Sequence, residues 1–346
     1  MSKYRTSVGL DLGDRFSQVY MTDDTGRVIG EERVKTVPDA LEKLFSGIGP
    51  AKIALETGTH SPWVSRLLEK LGHRVYVADA RKLRMISSNP RKSDRMDAQM
   101  LARLVRFDPQ LLSPIRHRSR QSQSDLAVLK ARDALVQART ALINTVRGLM
   151  KSSGVRASTC SAESFHKRVY DTMPKELKPA LDGLVETLRD LTSRIRNYDS
   201  LLEELCESHP ATELMREIPG VGPVTALAFT LVIDDPTRFT KSRQVGAYLG
   251  LVPRRDQSGN SDPQLRITKA GNGLVRRLLV SAAHYILGPF APPSDLREWG
   301  LKKAGTGNKA AKKKAVVGVA RKLAVLMHRL WVTGECYKAC AHEDAA

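Results

Sequence analysis

Short apolar runs separated by turn residues open the chain. Ser7-Val8-Gly9-Leu10-Asp11-Leu12 reads as a buried strand, followed by Gln18-Val19-Tyr20-Met21 and Arg27-Val28-Ile29 across the turn Asp23-Asp24-Thr25-Gly26. The spacing then predicts a helix from Asp39 to Phe45, a strand Lys52–Glu56, a helix from Pro62 to Leu71 and a strand Val75–Val77. A further helix starts after Ser93, an N-cap type, and runs through Val105. Strands in a meander followed by alternating strand and helix signals imply an α/β layer with helices packed on a mixed sheet over residues 1–108.

From 109 to 212 the period changes. Val128, Leu135, Leu142 and Leu149 recur every seven residues with Ala131, Ala138 and Thr145 between them. Leu181, Leu184, Leu188, Leu191, Ile195, Tyr198, Leu202 and Leu205 alternate spacings of three and four, as in a heptad seam. Such a seam closes against another helix, of its own chain or of a second copy. Residues 213–346 read as mainly helical and glycine-punctuated. An Arg/Ser/Gly-rich loop spans 253–266, and the lysine-rich stretch 302–314 reads as a solvated segment that tracks phosphates.

The 346 residues contain 56 Lys+Arg against 37 Asp+Glu, a formal charge of +19 that calls for a polyanionic partner. Four scattered cysteines exclude a disulfide framework. Cys336 and Cys340 with His328 and His342 fit no familiar zinc spacing. No apolar leader follows Met1 and no run is long enough to span a membrane, so a cytoplasmic, nucleoid-associated protein with no membrane partner is expected.

Four carboxylates carry the first chemical signal. Asp11 lies within an apolar strand, Glu56 ends a later strand, and Asp94 and Asp97 share one face at a helix start. Converging carboxylates repel one another, and a hard divalent cation such as Mg²⁺ relieves that, with Mn²⁺ able to substitute. Two such ions suit phosphoryl displacement, and acids in the order strand, later strand, helix are presented this way by RNase H-like nucleases. The alternative is that Asp94 and Asp97 merely favour the helix dipole.

Two further signals lie beyond residue 213. In Ile218-Pro219-Gly220-Val221-Gly222, Gly220 and Gly222 let backbone N–H groups approach phosphates, as in a helix–hairpin–helix clamp; an ordinary interhelical turn reads the same way. Ser258 stands in Arg254-Arg255-Asp256-Gln257-Ser258-Gly259-Asn260-Ser261, with Arg266, Lys269, Arg276 and Arg277 following. These cations, with Lys312, Lys313 and Lys314, are candidate nucleic-acid contacts. Ser258 is either a nucleophile or a hydrogen-bond donor, and no local triad settles which.

Gly9-Leu10-Asp11, Ala54-Leu55-Glu56-Thr57-Gly58 and Lys92-Ser93-Asp94-Arg95-Met96-Asp97-Ala98 resemble the DEDD-type insertion-sequence transposases related to Piv-type invertases, as do Tyr248-Leu249-Gly250-Leu251-Val252-Pro253, Gln257-Ser258-Gly259 and Ile267-Thr268-Lys269-Ala270-Gly271. The resemblance covers residues 5–290 and departs at Val232-Ile233-Asp234-Asp235, where the family more commonly has Gly before Asp. It implies a RuvC-like (RNase H-fold) catalytic domain at 1–108, a helical coiled-coil region at 109–212 and a mainly α transposase domain at 213–346. It also implies Mg²⁺ on Asp11, Glu56, Asp94 and Asp97, and a nucleophilic Ser258 forming a phosphoserine link to DNA. Donor and target duplexes, a guide (bridge) non-coding RNA and a homo-oligomer, dimer or tetramer, with a composite active site are the implied partners.

Three rival readings remain at this point. A RuvC-like Holliday-junction nuclease would use the acids and water without Ser258. An actin-like ATPase or sugar kinase would use Gly9-Leu10-Asp11-Leu12-Gly13 as a phosphate loop but needs a second Asp-x-Gly loop, for which only Leu181-Asp182-Gly183 offers itself. A non-catalytic nucleic-acid binder would need neither acids nor metal.

Overall fold

The structure is a computed structural model that describes residues 4–82, 93–263 and 265–340. Lys92 and His342, named above, lie outside the described residues. The chain divides into two compact units, Met1–His117 and Arg118–Ala346. Residues 109–117 belong to the first unit, while 118–212 and 213–346 form one unit, because the helical hairpin of the former shares a core with the helices of the latter.

The first unit is an α/β layer structure. Strands β1 (Thr6–Asp11), β2 (Phe16–Thr22), β3 (Val28–Lys35), β4 (Ala51–Glu56) and β5 (Arg74–Ala78) form one sheet in the order β3-β2-β1-β4-β5. β1–β2 and β2–β3 pair antiparallel, while β1–β4 and β4–β5 pair parallel. Helices α1 (Pro38–Ser46) and α2 (Ser61–Lys70) lie between strands in sequence, and α3 (Asp94–Phe107) follows β5. This mixed sheet is consistent with an RNase H-like domain. β3 is one edge, and Glu31, Glu32 and Arg33 keep it solvated and charged.

Side-chain alternation assigns the two faces. Val8, Leu10, Val19, Ile53 and Leu55 pack with Leu41, Phe45, Val64 and Leu68 of α1 and α2. Each such fully buried side chain contributes about 1.5–3 kcal/mol. The opposite face is built from small residues, Gly9, Ala54 and Ala78, and α3 sits down on it with Ala98, Leu101, Ala102 and Val105.

The second unit is helical: α4 (Arg120–Ser152), a short α5 (Phe165–Arg168), α6 (Lys178–Glu207), α7 (Ala211–Arg216), α8 (Pro223–Ile233), α9 (Arg243–Tyr248), α10 (Gly273–Ile286), α11 (Asp295–Ala304) and α12 (Lys309–Thr333). α8 is apolar and buried from Thr225 to Ile233 and forms the centre of the core. It is surrounded by Leu126, Leu129, Leu202 and Cys206 of the hairpin and by Leu279, Ala283, Leu323 and Met327. Lys302 and Lys303 end α11, and Lys309 with Lys312–Lys314 starts α12, so the segment read as a solvated stretch is helical on both sides of Gly305-Thr306-Gly307. Asn308 caps α12 by accepting from the Ala310 and Ala311 N–H groups, which fixes that start. His328 is buried, bonded to Ser242 Oγ and the Pro236 carbonyl, so it serves packing. Among the described residues no helix is long and apolar enough to cross a membrane.

The α4–α6 hairpin corrects the predicted seam. Leu126, Leu129, Ile143, Val146 and Met150 are buried on α4, whereas Leu149 is 42% exposed and Ala138 and Thr145 face solvent. On α6 the predicted Leu181, Leu188, Ile195 and Leu202 are buried, with Val185, Thr192 and Cys206 beside them. Both ends of the buried stripe meet α6 of the same chain, at 143–150 against 181–188 and at 126–129 against 202–206.

Midway along that stripe stands Arg139, 8% exposed, whose Nε and Nη1 have no hydrogen-bond partner among the described residues. Burial pushes its pKa down from the usual guanidinium range. One turn pair earlier, Arg132 Nε meets Asp199 Oδ1 at 2.5 Å. A buried, poorly paired charge costs more than an apolar residue of its volume. Arg139→Met is therefore expected to raise stability by about 1–4 kcal/mol, read as a higher urea midpoint with unchanged slope. A lower midpoint would show that the guanidinium is satisfied in solution.

Candidate active site

Asp11 and Glu56 come to one end of the sheet for reasons visible in the register. β1 and β4 run parallel with Leu10 opposite Leu55, so Asp11 and Glu56 end neighbouring strands one residue further on, about 4.8 Å apart in the backbone. Leu10 and Leu55 point into the α1–α2 core, which turns Asp11 and Glu56 to the α3 face. Both acids are half-buried and engaged in polar or electrostatic contacts of their own.

The direction of α3 completes the set. Arg106, near its C-terminus, reaches the Asp24 carbonyl and lies against Gly26, at the β2–β3 turn beside the start of β1. The helix N-terminus therefore lies toward the Asp11 end. Ser93 Oγ caps it by accepting from Met96 N–H, and the helix dipole favours Asp94 and Asp97 in the first turn. Asp97 is 6% exposed and faces the sheet, whereas Asp94 is exposed. Arg95 turns away to form a bidentate pair with Glu31 on β3, at 2.6 and 2.9 Å, which lowers the Glu31 pKa.

Gly9 makes this docking possible. A methyl group placed there would lie 1.8 Å from the Ala98 carbonyl oxygen and 2.5 Å from the Ala102 nitrogen. The sequence reading quoted Gly9 as part of a motif but missed this role; the Ala98-x₃-Ala102 spacing on a helix facing a strand glycine is the signal that carries it.

Hard carboxylate oxygens at one end of one sheet fit a hard divalent cation. Among the described residues no group of three or more His, Cys, Asp or Glu side chains is closed into a metal-holding cluster. Asp11 and Glu56 end adjacent strands and the α3 N-terminus lies toward that end, but the four side chains do not form such a group.

Ser258 belongs to the second unit. Ser258 and Ser261 exchange both backbone hydrogen bonds, at 2.9 and 3.0 Å, with Gly259 at φ 53° between them. This is a two-residue hairpin turn whose first central position demands a left-handed conformation. Ser258 is exposed, and Arg254, Arg255 and Arg266 are exposed around it. Arg254 N–H bonds the Arg266 carbonyl at 2.9 Å, so the two guanidinium stems leave from facing positions of one ribbon. No hydrogen bond to the Ser258 hydroxyl is formed among the described residues.

The root of the loop is clamped tightly. Methyl groups on Gly250 and Gly271 would lie 2.3 Å from the Ala270 oxygen and 2.0 Å from the Tyr248 oxygen. Arg276 Nη1 donates to the Leu249 and Ala270 carbonyls at 3.1 and 2.8 Å. Arg276 is half-buried and holds the loop root, and Arg277 pairs with Asp133 of α4 at 2.7 Å. Lys269 is exposed at φ 54°, and Lys312–Lys314 are exposed. Gly220 has φ 87° and packs against Tyr285, and Gly222 caps α8, so the 218–222 segment is a tight turn between α7 and α8. Asp234, where the family motif is broken, holds φ 65° at the end of α8 and accepts from Ser119 N–H and Oγ.

Comparison with known proteins adds independent findings. A DEDD-type IS110 transposase model matches residues 8–154, and a model described as the IS116/IS110/IS902 transposase family matches residues 212–294. A transposase for the insertion sequence element IS1111A from Coxiella burnetii is 28% identical, over 96% of this chain and 92% of its own length. A probable family 20 transposase from Pseudomonas aeruginosa is 26% identical over 96% of this chain and 98% of its own length. A transposase for the element IS1328 from Yersinia enterocolitica is 26% identical over 85% of this chain and 88% of its own.

Proposed function

Because the chain belongs to the DEDD-type insertion-sequence transposases of the IS110 group and is a DNA transposase, we propose that it cuts and rejoins DNA through a phosphoserine on Ser258 with the acids of the first unit as its metal site. The family is generally divalent-metal dependent, and we assign Mg²⁺ here, replaceable by Mn²⁺. The observation that carries the reading is the register: Asp11 and Glu56 end adjacent parallel strands on the face to which Gly9 admits α3 at Ala98 and Ala102.

Asp11, Glu56, Asp94 and Asp97 would hold the divalent ion, which would supply Lewis-acid polarisation of the phosphate. Ser258 Oγ attacks the phosphorus of the scissile link. The Oγ–P bond forms, the P–O3′ bond breaks, and the hydroxyl proton reaches the departing 3′-oxygen through an acidic carboxyl or water. Arg254, Arg255 and Arg266 stabilise the non-bridging oxygens as charge builds on them. A 3′-hydroxyl from the exchanged strand then attacks the phosphoserine. The P–Oγ bond breaks and Ser258 regains its proton, so no nucleotide cofactor is consumed. Following the family resemblance, the reading places the acids and Ser258 from different protomers at one scissile phosphate. A guide RNA and the DNA duplexes share the +19 surface in the same proposal.

The test is a trapped adduct. Wild-type protein with an element-end duplex and Mg²⁺ is expected to yield a covalent complex whose tryptic peptide carries a 5′-nucleotide on Ser258. Ser258→Ala is expected to lose both adduct and cleavage. Cleavage that persists in Ser258→Ala with water as nucleophile would replace this reading with the junction-nuclease one. The kinase-like alternative has no support in the fold of the described residues, since Leu181-Asp182-Gly183 lies inside α6.

A further inference from the structure

Beside the root of the Ser258 loop lies a cavity of about 720 Å³ that none of the motifs above explains. Five cations surround it: Arg243 of α9, Arg321, Lys322 and Arg329 of α12, and Lys338 beyond it. Asp295 is the one acid among its lining residues. Its floor is apolar, made by Val252, Leu296, Val325, Leu326 and Tyr337. A second cavity of about 480 Å³ shares Leu326, Arg329 and Lys338 with it, so the two form a continuous groove along the exposed face of α12.

The cations are set by packing. The stem of Arg321 presses on Gly246, where a methyl group would lie 2.9 Å from its Cγ. Lys322 Nζ sits 4.4 Å over the Trp299 ring. Arg329 pairs with Glu335 at 3.2 Å, an exposed contact that a phosphate can displace. Val252 ties the groove to the active loop, because its carbonyl accepts from Thr268 N–H at the loop root.

We propose that this groove binds a single-stranded segment of nucleic acid, the strand that runs from the Ser258 loop; the inference rests on the transposase reading. Two features select that ligand. The five cations against Asp295 and, in the adjoining cavity, Glu335 call for repeated phosphates. The apolar floor calls for the faces of unpaired bases and sugars, which a duplex would keep stacked above the rim. A volume near 720 Å³ lies within the range of about 300–1,000 Å³ usual for sites that engulf a ligand.

The test uses the full chain in a Ser258→Ala background, so that no covalent adduct contributes. The probes are fluorescent 12-nucleotide oligo(dT) and oligo(U), titrated at several salt concentrations. Arg243→Gln/Arg321→Gln/Arg329→Gln is expected to weaken binding at least tenfold at about 0.15 M salt and to flatten the salt slope by about 2, at about 0.7 per lost contact on a single strand. Leu326→Lys fills the floor while adding a positive charge, and it is expected to weaken binding as well. Melting temperatures of both variants check that the fold is intact. Tighter binding by Leu326→Lys, or an unchanged slope in the triple variant, would overturn the proposal. So would displacement by poly-glutamate with no oligonucleotide binding, which would make the groove a protein-docking site. A preference between oligo(dT) and oligo(U) tells whether DNA or RNA occupies the groove. A Ser258 adduct formed by the wild-type chain, with an unchanged slope in the triple variant, removes the groove alone. A missing adduct with a flattened slope removes the transposition chemistry alone.

Discussion

Asp11→Asn and Glu56→Gln are each expected to lower strand cleavage by about 10³-fold while leaving DNA binding intact. Each change removes a charge and keeps the volume. Lewis-acid stabilisation at such a site supplies several kcal/mol, and each 1.36 kcal/mol is tenfold in rate. Both side chains are half-buried at strand ends, so stability should move by less than about 1 kcal/mol. Asp97→Asn is expected to lose activity similarly but to cost more stability, about 1–3 kcal/mol, because Asp97 is 6% exposed and faces the sheet. Asp94→Asn, at an exposed first turn, should cost little stability. Duplex affinity should hold or rise in all four, since a negative charge is removed near a polyanion. Calorimetric titration with Mn²⁺ gives a second readout, with the binding heat lost in Asp11→Asn. Full cleavage by both Asp11→Asn and Glu56→Gln would remove the carboxylate site from the mechanism.

That these acids could be found in the sequence follows from their surroundings. Val8, Leu10, Ile53 and Leu55 mark the strands by alternation, and an acid at the end of each run stands out against an apolar background. The same logic failed on α4. There two stripes, 128-135-142-149 and 126-129-143-146-150, both carry apolar residues at helical spacings. The helix buries the second because α8 and α6 lie against it, a tertiary fact that no seven-residue count contains. Arg139 conceals the stripe further by placing a guanidinium where a leucine would mark it.

The serine loop shows another limit. Ser258-Gly259-Asn260-Ser261 is legible as a turn, because only a residue tolerant of positive φ fits after the serine. The destinations of the arginines around it are not legible. Arg254, Arg266, Arg276 and Arg277 look alike in a string. Arg254 and Arg266 stand exposed on the ribbon and Arg277 is exposed but paired with Asp133, while Arg276 closes on two carbonyls. Chain geometry decides between a phosphate contact and a structural brace, and that geometry is set by the close approaches at Gly250 and Gly271.

Gly9→Ala is expected to be the most damaging single methyl in the first unit. The added carbon would meet the Ala98 oxygen at 1.8 Å, the Ala102 nitrogen at 2.5 Å and the Ala98 carbonyl carbon at 2.9 Å. All three are main-chain atoms, so no side chain can rotate away, and Ala98→Gly cannot relieve the clash. α3 must lift from β1, which opens the Tyr20–Ala98–Ala102 contact and uncovers Leu101 and Val105. A cost of about 3–5 kcal/mol follows, at the upper end for overpacking. A domain of this size has about 5–15 kcal/mol in all, so its melting transition should fall by roughly 12–25 °C. Gly58→Ala is the control, because a methyl there meets nothing within 4 Å. Cleavage by Gly9→Ala should be lost even well below its melting temperature, since the helix that moves carries Asp94 and Asp97. A variant that kept its melting temperature and its activity would show that α3 does not rest on β1 as described, and the shared face of the four acids would fall with it.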